Sequence, residues 1–464
     1  MTKITISRRN FLQKSMVMSA AGLFSPRILA ESLPGRAQTL HAGPMPGYPA
    51  SRSALLWAQT AGPGNLQAAF WPVGARQRQQ LTEPVETTSS DFFTAKLLLD
   101  DLQANTIYQT EILLDGRPLS QIHTIHIRTP KLWKFRSPPP DFKILTGSCA
   151  YINDAPFDRP GKPYGGGYEI YAAMQAEASD LMLWLGDNLY FREADTESPA
   201  GMVLRYWSDR AFAPLRSFLG STPQIAIWDD HDYGPNDSDQ SFVFKETALA
   251  LFQRYWPNPR FGLPGQPGIF TQQSLYDADF FLLDDRWYRD ADAARPSRSK
   301  AMFGKAQMDW LKNALLDSHA RFKCIAAGGQ MLNDDDAYEG WNLYPEERQD
   351  FLDWLQESRI PGIIFLSGDR HISELMRRLR PRYSGKHDYP LWEITSSPLN
   401  SGPAKGDANP WRVPGTLVEQ RNYCSLEFHG QGAQRHLLVR CKSSQGNTLW
   451  EHKITGQDLG YEDT

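Results

Sequence analysis

Leu181-Met182-Leu183-Trp184-Leu185-Gly186-Asp187-Asn188-Leu189-Tyr190 is an uninterrupted apolar run that breaks, at a glycine, into an acid, an amide and a phenol. Five apolar residues without polar alternation describe a strand covered on both faces, as in the sheet of an α/β domain. The pattern recurs along the chain. Residues 142–146 lead into Gly147-Ser148-Cys149, 224–228 into Asp229-Asp230-His231-Asp232, and 363–367 into Gly368-Asp369-Arg370-His371, while 324–327 end in Gly328-Gly329-Gln330. Carboxyl ends of strands meet in one crevice of such a sheet, so residues distant in sequence converge there. One Gly-Asp is an ordinary turn, but four endings in Asp, His, Cys and Tyr predict a site. Carboxylates crowded into one cleft repel, and a bound polyvalent cation relieves the repulsion.

The residue types indicate which cations. Cys149 as thiolate, Tyr190 as phenolate and the imidazole of His371 suit a trivalent or borderline transition metal, whereas Asp230, Asp369 and Asn236 offer hard oxygens. Two unlike ions are expected, with Asp187 able to bridge them at the roughly 3.5–4 Å spacing that supports in-line displacement at phosphorus. Each residue also has a structural alternative. Cys149 could be a buried thiol, Tyr190 a packed aromatic, His231 a salt-bridged surface histidine and His371 a core hydrogen bonder. Gln330 could cap its strand. Arg286 and Arg289 could clamp a phosphate bidentately or pair with neighbouring aspartates, and Asp334-Asp335-Asp336 reads as a solvated acidic loop.

The set formed by Gly147-Ser148-Cys149, Gly186-Asp187-Asn188-Leu189-Tyr190, Trp228-Asp229-Asp230-His231-Asp232, Phe303-Gly304-Lys305-Ala306-Gln307-Met308-Asp309-Trp310-Leu311 and Ser367-Gly368-Asp369-Arg370-His371 resembles the alkaline phosphatase D (PhoD-like) group of metallophosphoesterases, relatives of purple acid phosphatases. The resemblance implies a calcineurin-like α/β fold, a sheet sandwich flanked by helices. It implies Fe3+ on Cys149, Asp187, Tyr190 and His371, and Ca2+ on Asp187, Asp230, Asn236 and Asp369. The implied activity is phosphomonoester hydrolysis by metal-bound hydroxide, with His231 steadying charge or protonating the leaving oxygen and Arg286 as a candidate phosphate ligand. The same fold and ions would also suit a phosphodiesterase or phospholipase acting on lipid headgroups or envelope polymers. A non-catalytic surface protein is a further alternative, against which the near-complete ligand set argues.

Outward from this domain, at 141–400, the character of the chain changes. Residues 38–130 carry short alternating strands punctuated by Gly, Pro and Asn, the pattern of a fibronectin- or immunoglobulin-like β-sandwich. Arg136-Ser137-Pro138-Pro139-Pro140 is a stiff linker. Helices are predicted at 168–177, 305–316 and 346–357, and a C-terminal β-hairpin extension at 415–456. Cys424 and Cys441 are equidistant from its turn, so they face each other either as a disulfide or as two buried thiols. Ser7-Arg8-Arg9-Asn10-Phe11-Leu12-Gln13-Lys14 begins a twin-arginine signal over 1–30, which makes the translocation machinery a partner and the protein periplasmic or secreted. No later run reaches about 18 apolar residues, so no transmembrane anchor is expected in the mature protein. A formal charge of −4 over 464 residues, with both signs mixed, leaves no broad basic field for nucleic acid.

Overall fold

The computed structural model describes residues 39–119, 125–335, 338–379 and 389–461. The signal expected at 1–30 and Asp336 lie outside them. In the N-terminal part, strands Leu40–Pro46, Ala54–Thr60 and Thr94–Leu99 form one antiparallel sheet, and a second is built around Gly64–Pro72 and Ile107–Leu114. Alternation decides which faces are covered: Tyr108, Thr110, Ile112 and Leu114 are buried while the residues between them are not. Tyr108, Ile112 and Leu114 meet Leu56, Leu97 and Leu99 of the other sheet in a shared core. The sheets are tied to the larger part by Trp57 Nε1, which donates to the Arg254 carbonyl at 2.8 Å, and by Gln59 Nε2, which donates to the Tyr255 hydroxyl at 2.8 Å.

The larger part is two six-stranded sheets. The first runs Gln224–Ile227, Leu181–Leu185, Phe142–Gly147, Asn422–His429, His436–Ser443 and Thr448–Ile454, its first three strands parallel. The second runs Thr271–Leu275, Ala278–Leu282, Phe322–Ala326, Ile363–Ser367, Leu391–Thr395 and Glu374–Arg378, parallel at its centre. Their apolar runs are continuous because both faces are covered. Phe280, Leu282, Cys324, Ala326, Ile364 and Leu366 turn toward a core shared with the first sheet, while Phe281, Ile325, Ile363 and Phe365 pack with Leu311, Leu315, Phe351 and Leu355 of the helices Lys305–Asp317 and Pro345–Ser358. Period-two alternation therefore serves both sides of one buried strand. The helix predicted at 168–177 is Ile170–Ala176.

The C-terminal segment differs from expectation. Instead of a hairpin appended to a finished domain, it supplies three strands that continue the first sheet, Phe142 pairing with Phe428 and Thr146 with Cys424. Leu426, Phe428, Leu437 and Val439 are fully buried in the shared core, and that burial holds the segment in the sheet. Cys424 and Cys441 are directly opposite in register and present as two buried thiols. No helix among the described residues is long and apolar enough to cross a membrane.

Candidate metal centre

Cys149 and Asp187 each lie two residues beyond the end of a strand of the first sheet, Asp230 three beyond the next, and Asp369 two beyond Ile363–Ser367 of the second. The turns that aim these side chains inward are unusual. Cys149, Asp187, Asp369 and His371 have φ of 63°, 52°, 60° and 55°, a region that costs L-residues energy and clusters at functional sites. Gly186, with φ of 89°, permits the bend before Asp187, and a Cβ on it would stand 2.6 Å from that of Asp229.

Two groups of ligand atoms result, and Asp187 belongs to both. One is Cys149, Asp187 and His371, the other Asp187, Asp230 and His231, with all atoms of a group within 4.8 Å of one another. Tyr190 joins the first, its hydroxyl 3.0 Å from His371 Nε2. Nδ1 of that ring is 2.6 Å from the Gly402 carbonyl and 3.0 Å from the Tyr164 hydroxyl. Asp369 is grouped with Asp229 and Glu339, and Asp230 also with Asp237 and Glu339. Asn236 is exposed, on the rim of the cleft. The cleft has a volume of about 540 Å³, and Asp187, Asp230, His231, Asp369 and His371 all face it.

Charge in this cleft asks for a cation. Burial, with Asp230 and Cys149 beside it, holds the Asp187 carboxyl well above the usual carboxylate range. Burial and the nearby Asp369 push the Cys149 thiol up to about 11, and burial next to Asp187 raises the Tyr190 phenol as well. Asp230 Oδ1 is buried without a hydrogen-bond partner, and Arg286 Nη2 stands 4.0 Å from it. A buried carboxylate oxygen with no hydrogen-bond donor, beside an Asp187 carboxyl and a Cys149 thiol that resist ionisation, fits a metal site, since a cation would supply the missing partner and favour the charged forms.

His231 is held at the cleft by its own backbone N–H, which donates to Asp187 Oδ1 at 3.3 Å, and by its ring, 4.2 Å from that of Tyr190. Arg286 is a correction. It is fully buried, and its Nε donates to Asp229 Oδ1 at 2.7 Å, its Nη1 to Glu339 Oε2 at 3.0 Å and to the Ser238 carbonyl at 3.3 Å, and its Nη2 to both carboxylates. Those bonds occupy its five N–H groups, so none is left for a phosphate. Arg289 is equally buried, bonded to Asp292 and Glu339. Gln330 donates to Glu374 and Thr395, each at 2.8 Å, and Asp334 pairs with Arg348 and Arg378.

The structure adds residues the sequence reading missed. Arg370 reaches the cleft wall, its Nη2 2.8 Å from Asp407 and its guanidinium 4.1 Å above the Tyr338 ring. Glu339 and Asp237 join the acidic wall, and Tyr164 touches His371. Arg370 sits in Ser367-Gly368-Asp369-Arg370-His371 at a strand end and Tyr164 in a long connection, but Glu339 follows no strand and had no signal.

A family model described as PhoD-like phosphatase matches residues 145–446. The chain is 25% identical over 257 residues to alkaline phosphatase D of Bacillus subtilis (strain 168), a match covering 45% of this chain and 44% of that protein, so it spans less than half the length of this curated relative. In fold it is similar to the structure of PhoD, with a TM-score of 0.70 at 17% identity, covering 89% of this chain and 91% of the other. It is similar also to a purple acid phosphatase from yellow lupin (Lupinus luteus) seeds, with a TM-score of 0.61 at 11% identity, covering 90% of this chain and 75% of that one. The family match takes in 302 of the 464 residues, from the strand before Cys149 to just beyond the strand His436–Ser443, with every ligand candidate inside it; the chain belongs to the PhoD-like phosphatase family.

Proposed function

We propose that this protein hydrolyses phosphate esters, acting as a phosphomonoesterase on a small-molecule, lipid or polymer phosphate ester outside the cytoplasm. The observation that carries this reading is the position of Asp187, common to a sulfur- and nitrogen-containing ligand group and to an oxygen-rich one. Cys149, Asp187, Tyr190 and His371 would hold a ferric ion, and Asp187, Asp230, Asn236 and Asp369 a calcium ion. Such cations supply Lewis acidity toward phosphoryl oxygen and make water acidic enough to react near neutral pH.

The chain's own residues do the remainder. Arg370, steadied by Asp407 and Tyr338, offers N–H donors to a non-reacting phosphoryl oxygen. His231, its ring against that of Tyr190, would protonate the departing alcohol oxygen or steady charge on phosphorus. Residues 1–30 direct export through the twin-arginine machinery. The test is a comparison of initial rates on a chromogenic phosphomonoester and its bis-ester, with protein purified after native export and assayed for iron and calcium. Faster monoester hydrolysis with both metals present is expected. Preference for the bis-ester would replace this reading by the phosphodiesterase one, and no hydrolysis of either by metal-loaded protein would end it.

A further inference from the structure

Beside the metal cleft lies a second, larger hollow of about 940 Å³, and the two meet at Tyr164, His231 and Asn236. Their chemistry is opposite. The cleft is walled by six carboxylates against one arginine, Arg370. The larger hollow has three cationic side chains matched by three carboxylates, with Arg192 on Asp158 and Arg159 on Glu193, each at 2.8 Å. Between these pairs its walls are aromatic: Tyr151, Phe157, Tyr164, Tyr190 and Phe191. The charges lining the hollow sum to zero, so no net positive field gathers a second phosphate, while aromatic faces in a hollow of this size suit an organic group with a ring.

Tyr164 stands on the boundary and is held from several sides. Its ring lies 5.0 Å from that of Tyr151, edge to face, and its hydroxyl 3.0 Å from His371 Nδ1. Arg421 Nη2 donates to its carbonyl at 3.2 Å. Gly402 leaves room for it, since a Cβ there would come within 2.7 Å of the Tyr164 ring.

We infer that the larger hollow is the leaving-group subsite, in which Tyr164 and Phe157 select phosphate esters of bulky, neutral, ring-bearing alcohols over those of small alkyl alcohols. This rests on the reading that the acidic cleft takes the phosphoryl group. The oxygen of water joins phosphorus, the bond from phosphorus to the alcohol oxygen breaks, and the alcohol takes one of water's protons and departs along the aromatic wall. Tyr164 has a second part as a positioning residue, since its hydroxyl steadies the ring of His371.

The experiment compares benzyl phosphate with ethyl phosphate, whose leaving alcohols are chemically alike, on the metal-loaded full-length protein. The wild type should prefer the benzyl ester in kcat/KM by about tenfold, what removing on the order of 60 Å² of apolar surface from water yields. Phe157→Ala and Tyr164→Ala should each cut that preference at least threefold. Tyr164→Phe should keep the preference, because the ring remains, while lowering kcat on both esters. Benzylphosphonate should inhibit the wild type about tenfold more tightly than ethylphosphonate, a readout independent of how any variant folds. Equal inhibition by the two phosphonates, or a benzyl preference that both alanine variants leave intact, would overturn the subsite. Hydrolysis of neither ester by the wild type would instead remove the phosphatase reading on which it rests.

Discussion

The phenolic oxygen of Tyr190 lies 3.0 Å from Nε2 of His371, while Nδ1 of the same ring lies 2.6 Å from the carbonyl of Gly402. A carbonyl only accepts, so Nδ1 carries the ring proton and Nε2 presents its lone pair toward Tyr190, the arrangement by which a second partner orients a ligating histidine. If the ion there is ferric, the wild type should absorb in the visible through tyrosinate. Tyr190→Phe should abolish that band and lower turnover at least tenfold, with iron measured by elemental analysis. An unchanged band would remove Tyr190 from the ligand set.

Arg286 predicts a different phenotype. Because its guanidinium is buried among Asp229 and Glu339, Arg286→Ala leaves two buried acids without their cation and should cost about 3–5 kcal/mol of stability. Denaturant unfolding of the variant measures this directly. A raised KM with unaltered stability would restore the phosphate-clamp role and contradict the buried network.

For His231 the informative pair of measurements is turnover and metal content. His231→Ala should lose about 10²- to 10⁴-fold in kcat, the usual worth of general acid–base assistance, and keep both metals. Because the ring is also grouped with Asp187 and Asp230, loss of a cation along with turnover would reassign it as a ligand.

Far from the site, His41 sets a pH dependence of stability. Its ring stacks on Trp207 at 3.8 Å and its Nε2 is 2.9 Å from the Trp207 carbonyl, and burial pulls the imidazole down from 6.5 to about 4. Between those values the unfolded chain binds a proton that the folded chain refuses. Stability should therefore be full above pH 6.5 and fall as pH drops toward 4, by about 2 kcal/mol from this group between pH 7 and pH 5. His41→Phe, which keeps the stack, should flatten that part of the profile in urea unfolding. An identical slope in variant and wild type would exclude His41 as its source.

The strand endings were readable because burial on both faces writes an uninterrupted apolar run, as in Leu181–Leu185 and Ile363–Ser367, and a run that stops at Gly-Asp marks where the chain leaves the sheet. Cys149, Asp187, Tyr190, Asp230, His231, Asp369 and His371 were singled out in that way, and the structure brings them together beyond the strand ends. The place of 415–456 was not readable. A hairpin pattern looks the same whether it stands alone or pairs with Phe142–Gly147, since the register of Phe142 on Phe428 joins residues too distant in sequence to leave a local trace.

Sequence by itself determined which residues could carry the chemistry, because hydrophobic period and residue type are local properties. Tertiary structure alone decided what the charged ones do. An arginine beside aspartates reads identically whether it faces a ligand or is closed in by acids from elsewhere, so Arg286 proved internal and Arg370 reached the cleft. Glu339 and Tyr164 come from loops without periodicity, and they enter the site only because the packed sheets bring those loops to the same strand ends. The environment that sets the role of a charge is assembled from residues distant in the chain, and it exists only once they have packed.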